Sequence, residues 1–145
     1  MSLARSALLE GVEQLKRALN QIATLPATPV LRREEIKLQV AFANALGLTG
    51  KFVDAKEHYD RALAIYDPAE HRPITTLSGR DVGVTLLSFR ASCLGLLGYS
   101  AASRNDGARA VKNAREIGHF TTLMYTLCFE IFTHIHYGDC AAANV

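Results

Sequence analysis

The chain predicts an all-α protein of about seven helices, arranged as antiparallel helical hairpins stacked into an array. Three observations point there. Apolar residues recur with the 3.6-residue period of amphipathic helices in one segment after another. No segment alternates with period two for long enough to make a strand. A block of sequence also repeats: Ala45-Leu46-Gly47-Leu48-Thr49-Gly50 matches Cys93-Leu94-Gly95-Leu96-Leu97-Gly98 at an offset of 48 residues. The same offset pairs Ala43 with Ala91, Ala55 with Ser103, Ala62 with Ala110 and Leu63 with Val111. A third copy starts near Thr121, with Gly138 and Ala143 falling 40 residues after Gly98 and Ser103. A helical hairpin buries only one face, so repeated hairpins must stack on their neighbours.

The first helix is expected over 3–25, where Leu8, Val12, Leu15, Leu19 and Ile22 form one stripe widened by Ala4, Ala7, Gly11 and Ala18. Pro26 and Pro29 then break the chain, and Thr28 before Pro29 reads as an N-cap followed by a first-turn proline. The first repeat, 30–66, holds a helix running to about Leu48, a turn at Gly50-Lys51, and a helix with Ala55, Tyr59, Ala62, Leu63 and Tyr66 on its face. Residues 67–79, with Pro68, Pro73, Thr75, Thr76, Ser78 and Gly79, read as a connector. The second repeat, 81–117, places helices from Asp81 to Leu97 and from Ser100 to Ile117, closed by Gly118 at a C′ position. Asn105-Asp106-Gly107 within it could be a turn, but Ala110, Val111 and Ala114 restore helical spacing, so a continuous or slightly frayed helix is expected. The partial repeat, 121–145, begins with Thr121 as cap, carries Leu123, Met124, Leu127, Phe129, Ile131, Phe132 and Ile135, and starts one more helix after Gly138-Asp139.

Composition excludes more than it assigns. Apolar residues are 49% of the chain and charged residues 21%, near globular averages, with no run long enough for a membrane span. Sixteen basic and fourteen acidic residues leave a charge of +2, scattered along the chain, so neither a nucleic-acid nor a membrane partner is expected. The N-terminus lacks a secretory signal pattern, and Cys93, Cys128 and Cys140 lie far apart among apolar or small neighbours. Three reduced thiols packed in or near a core, in a cytoplasmic protein, are the expectation.

In the first repeat, Phe42, Ala43 and Leu46 followed by Gly50, Phe52, Ala55, Tyr59 and Ala62 resemble a tetratricopeptide repeat, a right-handed α-solenoid unit. The alanines suit close helix crossings, and the aromatics fill the gaps beside them. A narrower resemblance rests on Tyr66-Asp67-Pro68, His71, Gly79, Asp81, Gly83, Leu97-Gly98-Tyr99, Ile117-Gly118-His119 and Thr133-His134-Ile135-His136. These look like the repeat region toward the C-terminus of bacterial signalling proteins that join a nucleotide-cyclase domain to an AAA-type ATPase domain. That resemblance implies a piece of such a tail, from a longer protein, without either catalytic domain. Gly95 stands where relatives tend to carry Trp.

Chemistry-bearing patterns are sparse. Gly50-Lys51 lacks the earlier glycine and following Ser/Thr of a phosphate loop. His134 and His136, two apart on a helix, point about 200° apart and cannot share a metal. Glu34-Glu35 after Arg32-Arg33 reads as a solvated face. His119 is expected to cap the preceding helix, and His71 to pin the connector through a backbone hydrogen bond. No catalytic, cofactor or metal site is therefore expected.

The tetratricopeptide resemblance implies a groove lined by the first helix of each unit: Lys37, Val40, Asn44 and Leu48; Thr85, Ser88, Ser92 and Leu96; Tyr125, Cys128, Phe132 and His136. The leading expectation is a non-enzymatic module binding a protein, a peptide or a neighbouring domain of its own polypeptide, with self-association through exposed ends. Some of these positions would equally serve to pack against further helices. An alternative is a small-effector sensor with its pocket at the 67–79 connector, His71 and the concave face. A hydrolase using Cys128 with His134 or His136 is a third reading.

Overall fold

The computed structural model describes residues 3–71 and 79–139, and among them there are seven helices and no strand. The helices are α1 (Leu3–Ile22), α2 (Pro29–Leu48), α3 (Phe52–Ile65), α4 (Pro68–His71), α5 (Val82–Leu96), α6 (Ser100–Ile117) and α7 (Phe120–His136). None is long and apolar enough to cross a membrane. The chain divides into two compact units, Met1–Tyr66 and Asp67–Val145, so the division falls where the predicted connector begins.

The caps explain the helix boundaries. Thr28 accepts the Leu31 N–H at 3.2 Å with Pro29 in the first turn, and Asp81 Oδ1 accepts the Val84 N–H at 2.9 Å. α1 ends at Ile22, three residues short of expectation, and the chain leaves it through turns at Thr24 and Leu25. α7 begins at Phe120 with His119 as N-cap, so Thr121 lies inside the first turn and is not the cap. The helix expected after Asp139 lies outside the described residues.

One turn recurs at 49–51, 97–99 and 137–139. In each, a residue near φ −80 to −90° with ψ close to 0° precedes a glycine in the left-handed region, at φ 80°, 86° and 71° for Gly50, Gly98 and Gly138. The next residue donates back five positions: Lys51 to Leu46, Tyr99 to Leu94 and Asp139 to His134, at 2.9–3.0 Å. Each glycine donates to the carbonyl three back at 3.0 Å. This is a Schellman motif, and only glycine adopts its φ without strain. The positions are those of the sequence repeat.

Unit 1 packs α2 against α1 and α3. Its core holds Val12 of α1, Ile36, Phe42, Ala43 and Leu46 of α2, and Ala55, Tyr59 and Ala62 of α3. Buried and half-buried polar groups pair across α2 and α3: the Tyr59 hydroxyl donates to Asn44 Oδ1 and His58 Nδ1 lies on Gln39 Oε1, both at 2.6 Å. His58 also meets Phe42 edge-on, ring centres 4.5 Å apart. Burial pushes the His58 imidazole below its ordinary value of 6.5, and the nearby Arg61 charge pushes the same way. The unfolded chain therefore takes up this proton first as pH falls. His58 favours the fold above about pH 6.5, and that contribution is lost as pH drops towards the lowered value. Urea midpoints at about pH 7.5 and about pH 5.5 should differ less for His58→Gln than for the natural chain.

Unit 2 packs α5, α6 and α7 against one another. Its apolar core is Val84, Leu86, Leu87, Ala91, Cys93 and Leu94 of α5 with Ala110 and Ala114 of α6. Ser103, at the position equivalent to buried Ala55, donates to the Ala91 carbonyl at 2.7 Å. Thus a serine serves where its counterpart is alanine, because a carbonyl lies within reach. Asp106, 2% exposed, receives a fork from Arg90: Nε to Oδ2 at 2.6 Å and a terminal nitrogen to Oδ1 at 2.9 Å. Asn105-Asp106-Gly107 is therefore continuous helix, with Asp106 facing α5. Gly107 faces α7, and a Cβ there would collide with the Glu130 carboxylate.

α7 differs from expectation at Cys128. Thr122, Thr126 and Thr133 are buried, while Cys128 is exposed, contrary to its predicted burial. The inward hydroxyls are satisfied: Thr126 donates to the Thr122 carbonyl and Thr133 to the Phe129 carbonyl. Thr122 Oγ1 accepts the Asp81 N–H at 3.0 Å and lies 2.9 Å from His119 Nδ1. His119 thus joins the start of α7 to the start of α5 through Thr122; its ring is bonded there and not to the α6 carbonyls.

Candidate functional site

In α5 the row Ser88, Ser92, Leu96 follows i, i+4 spacing and lies towards α7. Ser88 is buried with its hydroxyl on the Val84 carbonyl at 2.9 Å, so it belongs to the packing and is not open to a ligand. Ser92 and Leu96 emerge from the core and meet Phe132, Thr133 and His136 of α7 around a cavity of about 260 Å³, floored by Gly95. Four of the twelve groove positions expected from sequence, Ser92, Leu96, Phe132 and His136, thereby line one groove.

Gly95 and Thr133 were not anticipated there. A Cβ at Gly95 would lie 3.1 Å from the Tyr137 hydroxyl and 3.4 Å from Ser103 Oγ, so this glycine admits Tyr137 onto α5. The large side chain expected at that point on α5 is absent, and an aromatic from the end of α7 takes the space. The signal was present in the third repeat, where Tyr137 precedes Gly138.

The groove is apolar in its walls, Leu96 and Phe132, and polar at Ser92, Thr133 and His136. Ser92 Oγ donates to the Ser88 carbonyl at 3.2 Å and Thr133 Oγ1 to the Phe129 carbonyl, leaving both oxygens able to accept. Among the described residues, no carboxylate, lysine or arginine lines it. Such a surface suits an apolar side chain whose backbone meets hydroxyl and imidazole groups.

The remaining predicted positions fall elsewhere. Tyr125 lies further toward the start of α7, covered by the Arg80 guanidinium at 3.9 Å and packed against Phe89 and Phe129. Lys37 is exposed and paired with Glu34 at 2.7 Å. Asn44 is engaged by Tyr59, Val40 is half-buried and Leu48 is exposed. Those three and Lys37 belong to unit 1.

His71 is buried, its Nδ1 2.8 Å from the Asp67 nitrogen and 2.9 Å from the Asp67 oxygen. It therefore ties the start of the connector to backbone, as its position suggested, within the single turn of α4. Residues 72–78, the rest of the sensor pocket considered from sequence, lie outside the described residues. Cys128 is separated from His134 and His136 by about 9 Å and about 12 Å of helix rise, beyond hydrogen-bond reach. His134 instead lies 3.3 Å from Glu130 Oε1.

A second groove, which the sequence did not signal, lies between α6 and α7 with a volume of about 470 Å³. Ala108, Val111 and Arg115 form one wall, and Leu127, Ile131 and His134 the other. No family model, no curated protein and no solved structure matches the chain.

Proposed function

We propose that the chain is a non-enzymatic helical-repeat module whose α5/α7 groove takes a large apolar side chain from a peptide or a neighbouring domain. The observation that carries this reading is the convergence of Ser92, Leu96, Phe132 and His136 on one apolar groove. The repeated Schellman turns support the solenoid part of it, because equivalent turns after equivalent helices let successive hairpins stack alike. On the resemblance to signalling-protein tails, the neighbouring domain would belong to the same polypeptide. The cavity of about 260 Å³ lies just below the roughly 300–1,000 Å³ typical of small-molecule pockets. It thus suits one side chain better than a whole effector.

Peptides selected by display against the whole protein should converge on a large apolar anchor. Leu96→Glu should weaken their binding roughly tenfold or more, since a charge would replace an apolar wall. Selected peptides that bind Leu96→Glu and His136→Ala as well as the natural chain would remove the groove from consideration.

A further inference from the structure

A helix packed on a core ordinarily turns its apolar side inward. α7 does so only in part: Phe129 packs on Phe89 of α5, and apolar residues also lie on its outer side. Its fully buried positions are threonine at 122, 126 and 133, each bonded to backbone or to a neighbouring residue. Its outward face is a row at i, i+4 spacing, Phe120, Met124, Cys128 and Phe132, joined by Ile135. Phe120 is 72% exposed, Met124 50%, Phe132 68% and Ile135 55%. Isolated exposed apolar side chains are ordinary, but a continuous row along a whole helix marks an interface.

We infer that this outer ridge of α7 is a self-association surface, pairing antiparallel with α7 of a second copy about a two-fold axis near Cys128. Four features favour a second copy as the occupant. The row is nearly symmetric about its midpoint, so an antiparallel pair sets Met124 against Phe132 of the second copy and Phe120 against its Ile135. A two-fold interface requires such self-complementarity. The ridge is uncharged, because Glu130, the only carboxylate of α7, turns toward Gly107 of α6. Pairing therefore buries no like charges.

The ridge runs between the α6/α7 and α5/α7 grooves. With aromatic side chains presenting on the order of 200 Å² each, the row exposes roughly 500–600 Å² of apolar surface. Doubled, that is roughly 1,000–1,200 Å², at the lower bound for a specific interface. A weak, concentration-dependent dimer is what this area supports. Antiparallel helices also oppose their dipoles, which adds a small favourable term. The inference stands without any peptide in the α5/α7 groove.

Sedimentation equilibrium of the whole chain across micromolar concentrations should show a monomer–dimer equilibrium. Met124→Glu, whose site lies outside both grooves, should raise the dimer dissociation constant roughly 30-fold or more with helicity unchanged. A second measurement does not depend on how that variant folds. In a Cys140→Ser background, Cys93 is buried and Cys128 is the accessible thiol, so a short bis-maleimide should link two chains. The further change Cys128→Ser should abolish that link. A monomer at every concentration, or a dimer that ignores Met124→Glu and cannot be linked through Cys128, would overturn the inference. In the second case the copies meet elsewhere. Retained dimerisation with lost peptide binding in Leu96→Glu separates this surface from the proposed groove.

Discussion

Arg90→Ala is expected to lower the stability of unit 2 by about 3 kcal/mol, read as a fall in urea midpoint at unchanged m-value. Asp106 is 2% exposed and depends on the Arg90 fork; Arg109 reaches it only at 3.8 Å from an exposed position. Removing Arg90 leaves a carboxylate inside the helix pair with a weak substitute partner. The reverse change, Asp106→Ala, should cost less, because Arg90 is about one-fifth exposed and its guanidinium can turn to water. Lysine at 90 should recover only part of the loss, since it cannot present two parallel donors. The double variant should be closer to Asp106→Ala than to the sum of the two, because the stranded carboxylate is then gone. Equal effects of the two single changes would show that the pair is not buried as described.

Leu86→Ala is expected to cost about 3 kcal/mol, while Leu96→Ala, in the same helix, should stay within about 0.5 kcal/mol. Leu86 is wholly buried, and truncating it removes transfer free energy and leaves a cavity. Leu96 stands at the groove edge with solvent on one side. Midpoints for the two variants under one denaturant series would test the assignment of faces on α5. Similar losses for both would mean that Leu96 is covered, and the groove reading would fall with that result.

Those two leucines also show where reading residues in order stops. α5 is apolar almost all round, with Arg90 as its one charged side chain, so periodicity alone could not say which leucine faces inward. The resemblance placed Leu96 on the groove row, and in the structure Leu96 is exposed beside a cavity. It placed Ser88 there too, where packing has buried it. α7 misled more thoroughly. Its composition of Phe, Met, Leu, Ile and Cys predicts burial for Cys128, yet the threonines went inside. A threonine can satisfy its own hydroxyl on the preceding helical turn, as Thr126 and Thr133 do, and so can be buried at low cost. Nothing in a single strip of sequence reveals that choice. The Arg90–Asp106 fork was similarly hidden, since its partners lie sixteen residues apart and neither belongs to a motif. Gly107 looked like a weakness in α6 until Glu130 was found packed against it.

What the sequence by itself determined is local: helices from the 3.6-residue period, their starts from Thr28 and Asp81, and three matching turns from Gly50, Gly98 and Gly138. Each depends on backbone geometry and on neighbours within about five positions, so a linear string contains the whole cause. Tertiary structure alone decided which side of α5 and α7 meets the core, where the buried charge pair forms, and which residues line a groove. Those outcomes depend on residues brought together from separate helices, where burial, hydroxyl satisfaction and close approach compete. No one segment contains enough of its surroundings to settle that competition.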